Sequence, residues 1–198
     1  SLKKKKENPN INFKYDMEIH LIEKIFKNKD IKILEFGAGW GFWSSRAVKK
    51  GYKVDAFELS KKRINYMKSM KINVVENLKE KNIQYDFIYS DQTLEHLTDP
   101  HQIFKQFLPN LKKDGFILLS FPSAFGFKKK LKKKYIPKDV VHPLEHINLF
   151  NRNSFNYLIK DYNLEIVNFK FSFNPSMRNF FRDLKNFFYF DNVLIKKN

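Results

Sequence analysis

The stretch "IKILEFGAGWGFWS", Ile31 to Ser44, decides how this chain is read. An apolar run with strand character ends at Phe36, and glycines follow at positions 37, 39 and 41. The chain has six glycines in 198 residues and places half of them here. Glycine allows a positive φ and removes the Cβ that would hold another group away from the backbone. The pattern predicts a strand, a turn that something approaches closely, and a helix over "FWSSRAVKKG" stopped by Gly51.

On either side of this corner, strand-like segments alternate with helical ones. "DMEIHLIEKIFKN" puts Ile19, Ile22, Ile25 and Phe26 at helical spacing. "KVDAFEL" reads as a second strand, and Ser60 suits the N-cap of the helix "KKRINYMKSM". "INVV" is a short third strand and "YDFIYS" a fourth. "LTDPHQIFKQFLPNL" starts a helix, with Asp99 at the N-cap and Pro100 in the first helical position. "GFILLSF" is apolar enough to be a central fifth strand. A lysine-rich connection, a helix over "NRNSFNYLIKDY" and a sixth strand, "LEIVNFKF", follow. The alternation predicts an α/β, Rossmann-like, doubly wound fold: a mostly parallel sheet with helices on both faces. The expected organisation is a single domain with a basic tail and N-terminal helix (1–30), a core (31–171) and an aromatic, basic C-terminal extension (172–198) packed on it.

Composition narrows the chemistry. With 42% hydrophobic and 17% aromatic residues the chain can bury a core, so disorder is not the reading. It contains no cysteine, which excludes disulfides, thiolate metal sites and cysteine nucleophiles. "SLKKKKENPN" carries charge but no apolar signal-like region, and no long apolar run follows, so a cytoplasmic protein, monomer or homodimer, is expected. The net charge of +17 draws attention to anionic partners. Lysine greatly outnumbers arginine, however, and a nucleic-acid reader more often favours arginine for bidentate contacts.

A strand, glycine turn and helix form the nucleotide-binding corner of doubly wound folds. A dinucleotide site wants G-x-G-x-x-G, and the sixth position of that pattern is Phe42. An acid, Glu35, stands two residues before the first glycine. A carboxylate there is a poor neighbour for a pyrophosphate and a good one for a cation. S-adenosylmethionine carries an ammonium and a sulfonium, so the charge favours that cofactor, with S-adenosylhomocysteine as product. Glu58 ends the second strand beside the glycine loop, where a carboxylate can accept hydrogen bonds from both ribose hydroxyls.

With these residues in register, the chain resembles the class I S-adenosylmethionine-dependent methyltransferases, in the subgroup of small bacterial proteins with "LEH" after the fourth strand and "EH…F" after the fifth. The segments that carry the resemblance are "ILEFGAGWG", "VDAFELS", "YDFIYSDQTLEHLTDP", "LKKDGFILLSFPS" and "HPLEHINLFNRNSF". The resemblance implies a seven-stranded sheet with its last strand antiparallel. That strand must come from the last residues, with "NVLIKK" as the candidate, or be absent. It also implies that Glu35, Gly37, Gly39 and Gly41 surround the methionine end, and that Glu58 and Leu59 hold the ribose side. Asn77 and Leu78 would face the adenine, and Ser90, Asp91 and Gln92 would line the methionine side.

For catalysis, "LEHL" and "HPLEH" offer Glu95, His96, Glu145 and His146. An oxygen or nitrogen nucleophile must lose a proton, and a histidine near neutral pKa is a natural base. His146 is the first choice, His96 the second, with Glu145 beside them; the alternative is that the histidines only anchor loops. A metal set of His96, His101, His142 and His146 matches no familiar zinc spacing, so no metal is expected. The run "KKKLKKK", Lys128 to Lys134, is either a solvated loop or an attractor for an anionic acceptor. "MRNFFRDLKNFFYF" fits core or dimer packing, or a helix resting on an anionic membrane surface. The expected function is methyl transfer to an oxygen or nitrogen of a small, sugar-like or anionic molecule. The alternatives are a nucleic-acid methyltransferase, although "SDQT" lacks the Asn/Asp-Pro-Pro-Tyr/Phe signature, and a catalytically silent cofactor-binding or membrane-peripheral protein.

Overall fold

The computed structural model describes residues 9–78, 83–122, 124, 132, 145–167 and 190–197. In chain order the elements are helix α1 (Pro9–Ile25), strand β1 (Lys32–Phe36), helix α2 (Phe42–Lys49), strand β2 (Lys53–Phe57), helix α3 (Lys61–Ser69), strand β3 (Asn73–Val75) and strand β4 (Tyr85–Asp91). A 3₁₀ turn (Leu94–His96), helix α4 (Pro100–Phe107), a second 3₁₀ turn (Leu108–Asn110), strand β5 (Leu111–Pro122), helix α5 (Arg152–Ile159), strand β6 (Leu164–Val167) and strand β7 (Phe190–Lys197) complete it.

The strands form one sheet in the order β3-β2-β1-β4-β5-β7-β6. Pairings from β3 to β5 are parallel, and β7 runs antiparallel to both β5 and β6. The seventh strand therefore exists and comes from the tail. It is longer than "NVLIKK" and lies between β5 and β6, with Val193, Leu194 and Ile195 buried. Such an unbroken apolar run suits a strand covered on both faces.

Successive side chains of each strand enter different cores. Ile33, Phe87, Tyr89, Leu118 and Leu194 pack with Ile19, Leu21 and Ile22 of α1 and with Trp43 and Ala47 of α2. Leu34, Ile88, Ile117, Leu119 and Ile195 face the other way, onto Ile103, Phe104 and Phe107 of α4 and Phe155, Leu158 and Ile159 of α5. The Trp43 ring stacks on Tyr89 at 4.1 Å. Truncating an aromatic in such a place costs about 3–5 kcal/mol.

The helix ends follow their local chemistry. Asp99 caps α4 by accepting from the His101 N–H at 2.9 Å, as expected. Asn151 and Ser154 make a capping box on α5. Gly51, at φ 95, ends α2, with its N–H bound to the Val48 carbonyl and that of Tyr52 to Ala47. One expectation is corrected: Ser60 occupies the N-cap position of α3, but its hydroxyl makes no capping bond. The cap comes from Glu58, which accepts from the Ser60 N–H at 2.9 Å. Helix α1 also begins earlier than its apolar spacing indicated, with Pro9 in its first position. Of the basic run 128–134 only Lys132 is described, and the extension up to residue 189 lies outside the described residues.

Candidate active site

The three glycines of the β1–α2 turn all have positive φ, at 75, 58 and 69 for Gly37, Gly39 and Gly41. Space separates their roles. A Cβ on Gly37 would run into the Thr93 side chain, with Thr93 Cγ2 only 3.1 Å away. A Cβ on Gly41 would meet Met67 Cγ at 2.7 Å and Ile72 Cδ1 at 2.9 Å, so this residue faces packing beneath α3 rather than a ligand. A Cβ on Gly39 would meet nothing within 4 Å. Of the three, Gly39 is the one that opens on free space.

Glu35 lies on the same strand face as Ile33 and is 4% exposed. Its Oε2 accepts from the Ser44 N–H at 3.0 Å and also from the Ser44 hydroxyl. Helix α2 starts from Gly41, which has no side chain to cap with, so Glu35 supplies the cap from a neighbouring strand. Burial nevertheless pushes its pKa up to about 8. The two Ser44 bonds oppose that shift, and the charges of Asp91 and Glu18 add to it.

Glu58 is tied down by its own surroundings. One oxygen accepts from the N–H groups of Leu59 at 3.0 Å and Ser60, and the other from Gly39 N–H at 2.8 Å and Arg63 Nη1 at 3.4 Å. It therefore couples the end of β2 to the glycine loop from behind.

A cavity of about 710 Å³ lies at the carboxyl ends of β1 and β4. Glu35, Gly37, Gly39, Asp91, Gln92, His96, Glu145 and His146 from the sequence-derived set all line it. Gly41, Glu58, Leu59, Asn77, Leu78 and Ser90 do not. Leu78 is buried in the core, Ser90 is buried within β4, and Asn77 is exposed. Leu59 stands 81% exposed beside Glu58.

Sequence reasoning missed the roof of the cavity. Ile11, Lys14 and Tyr15 of α1 line it, as do Trp40 and Arg63. Lys14 is 5% exposed, donates to Asp91 and lies 3.6 Å from Glu18. Burial alone would lower the Lys14 pKa, but Asp91 and Glu18 outweigh it and the value ends above that of ordinary lysine. Glu18, also accepting from Tyr89 Oη at 2.7 Å, is pushed up to about 7 by burial, with Lys14 opposing. The signal was present: Lys14, Glu18 and Ile22 share one helical stripe, an ion pair where apolar residues belong.

At the other end, the 3₁₀ turn and the segment from residue 145 bring two histidines together. Their rings are 5.0 Å apart, and His96 Nδ1 lies 2.7 Å from the Glu145 carbonyl oxygen. Glu95, behind them, is 1% exposed. His101 is elsewhere, with Nδ1 2.9 Å from Tyr162 Oη, and His142 lies outside the described residues.

The chain belongs to a methyltransferase-domain family, whose model matches residues 13–168. It is similar in fold to the plantazolicin methyltransferase solved with a pentazolic desmethylPZN analogue and S-adenosylhomocysteine. The TM-score is 0.70 at 16% identity, covering 98% of this chain and 88% of that one. Magnesium protoporphyrin IX methyltransferase from Synechocystis PCC 6803, with bound S-adenosylhomocysteine, gives a TM-score of 0.69 at 12% identity, covering 100% of this chain and 88% of that one. An S-adenosylmethionine-dependent methyltransferase from Aquifex aeolicus gives 0.65 at 15% identity, covering 98% and 96%. Among the described residues no helix is long and apolar enough to cross a membrane.

Proposed function

We propose that this chain transfers the methyl group of S-adenosylmethionine to an oxygen or nitrogen of a small acceptor. The observation that supports the reading best is the pairing of Gly39, open to the cavity, with Glu35, a buried carboxylate short of positive charge on the same wall. A cationic ligand fits that wall, and a pyrophosphate does not. When bound, the cofactor supplies a methyl group on a positive sulfur; the acceptor's electron pair takes the carbon and the C–S pair returns to sulfur.

The chain's own residues would do the rest. Glu35 and Asp91 face the ligand's positive charge, while Glu58 holds the glycine loop in shape and, by exchanging its Arg63 contact, takes a ribose hydroxyl. Exposed Leu59 and Asn77 would cover the adenine side. The pair of His146 and His96 would promote loss of the acceptor's proton, and Glu145 would orient His96 through its carbonyl. Alignment of acceptor and methyl in the cavity would supply much of the rate.

Calorimetry tests the reading directly. S-adenosylhomocysteine should bind the full chain at one equivalent, and NADH should not compete at comparable concentration. Equal binding of NADH, or no binding of S-adenosylhomocysteine, overturns it.

A further inference from the structure

Glu95, His96 and His146 each present one ligand atom, and the three atoms lie within 4.8 Å of one another. No familiar metal spacing runs through these residues, because the turn after β4 and the segment before α5 are brought together only by the fold. Two backbone hydrogen bonds hold that junction: the Glu95 carbonyl accepts from Ile147 N–H at 2.7 Å and Asn148 N–H at 3.0 Å. The Asn148 amide also donates to the Leu97 carbonyl at 2.5 Å. Both histidines are thereby set on one rigid corner.

Glu95 supplies an independent indication. Its side chain is almost wholly buried, and neither carboxylate oxygen has a hydrogen-bond partner among the described residues. A buried carboxylate with no partner costs several kcal/mol unless a proton or a positive charge answers it. Other buried acids of the cavity region have answers: Glu35 has Ser44, and Glu18 has Lys14 and Tyr89. His96 is also prepared as a ligand. A carbonyl only accepts, so His96 Nδ1 carries the hydrogen towards Glu145, which leaves the lone pair on Nε2. Metal-bound imidazoles are commonly oriented by such a bond.

We propose that Glu95, His96 and His146 bind a divalent metal ion at the acceptor end of the cavity. One carboxylate and two imidazoles suit zinc, manganese, iron(II), cobalt or nickel better than calcium or magnesium. Three protein ligands leave further positions open, and His96 and His146 line the same cavity as Glu35 and Gly39. Resting on the methyltransferase reading, this defines the acceptor as a molecule with an oxygen donor, a hydroxyl or a carboxylate, that fills an open position. The ion's charge lowers the pKa of a bound hydroxyl, whose proton passes to water while the electron pair stays on oxygen to attack the methyl carbon. The histidine pair then loosens the acceptor proton by holding the ion, and His146 does not itself take the proton.

The test is calorimetric titration of zinc chloride, and separately manganese chloride, into the chelator-treated full chain. One equivalent should bind, and Glu95→Gln and His146→Gln should each weaken binding about tenfold or more. His20→Gln, on the exposed face of α1 beside Glu23, should leave it unchanged. Circular dichroism and S-adenosylhomocysteine affinity report whether each variant is folded, and the two glutamine variants stand in for each other if one is not. Failure of both metals to saturate one site, or binding that the folded glutamine variants leave unchanged, overturns the metal site. A chain that binds S-adenosylhomocysteine but no metal loses only this inference. One that binds metal but no S-adenosylhomocysteine loses only the cofactor reading.

Discussion

The Glu58 carboxylate accepts the Gly39 N–H at 2.8 Å, so the acid at the end of β2 fixes the one glycine of the loop where an added Cβ would meet open space. The same carboxylate begins α3 through Leu59 and Ser60. Loop shape and helix start thus depend on a single side chain.

The three loop glycines should separate in mutagenesis. Each alanine substitution carries the cost of a left-handed backbone, about 1–2 kcal/mol. Gly37→Ala and Gly41→Ala add collisions with Thr93 and with Met67 and Ile72, whereas Gly39→Ala adds none. Urea denaturation should therefore rank Gly39→Ala as the mildest. Gly39→Val, whose branched side chain enters the cavity, should weaken S-adenosylhomocysteine at least tenfold, about 1.4 kcal/mol. A Gly39→Val chain that folds and binds normally would remove the glycine from the ligand wall.

Glu35 predicts a pH dependence. Its folded pKa is raised to about 8 from an ordinary 4.5, so the folded chain holds a proton that the unfolded chain releases in that window. Its contribution to stability should fall as pH rises from about 4.5 to about 8, and Glu35→Gln should flatten that decline. The ammonium at the amino-acid end of the ligand, set beside Glu35, would reverse the preference and favour the carboxylate. Binding of S-adenosylhomocysteine near neutral pH should then release protons, seen as heats that vary with the ionisation enthalpy of the buffer. Buffer-independent heats would mean that Glu35 does not sense the ligand's charge.

How much of this was legible in the sequence depends on the range of each interaction. The order of strands, the Asp99 cap and the glycine corner were readable because period, cap chemistry and turn chemistry act over a few residues. Strand β7 was harder, because eighteen and more residues separate "NVLIKK" from the preceding recognisable strand, and only its pairing with Ile117 and Ile166 shows where it inserts. The division of labour among the glycines was not readable, since it is set by Thr93, Met67 and Ile72 on other elements. Burial of Glu95 was equally hidden: a 3₁₀ turn of three residues carries no amphipathic pattern.

The histidine pair should affect turnover without affecting cofactor binding. His146→Ala is expected to lower kcat by one hundredfold or more, on the order of general acid–base contributions, with S-adenosylhomocysteine affinity nearly intact. Equal losses in both would mark the residue as structural. Glu145 reaches His96 through its main-chain carbonyl, so Glu145→Ala should retain turnover within a few-fold of the parent chain. A large loss there would assign the work to its carboxylate instead.

Lys14 offers the sharpest stability test. It is buried against Glu18 and paired with the partly buried Asp91, and removing one partner of such a group leaves an uncompensated charge and a loss of stability. Lys14→Met should show that loss at pH 8 but much less of it at acidic pH, because Glu18 can escape by taking a proton. In the parent chain Glu18 already holds its proton below about 7, so only above that value does losing Lys14 force a protonation that the parent avoids, at about 1.4 kcal/mol per pH unit. The Glu18 part of the defect therefore vanishes at pH 5.5 and is capped at about 1.4 kcal/mol at pH 8, by the same conversion. Adding Glu18→Gln to Lys14→Met should restore most of the alkaline stability, since an amide can still accept from Tyr89 and carries no charge. Urea denaturation of the parent, single and double variants at the two pH values reads all of this. A Lys14→Met defect that is the same at both would show that Lys14 stabilises α1 by packing its methylene stem and not by balancing the acids beneath it.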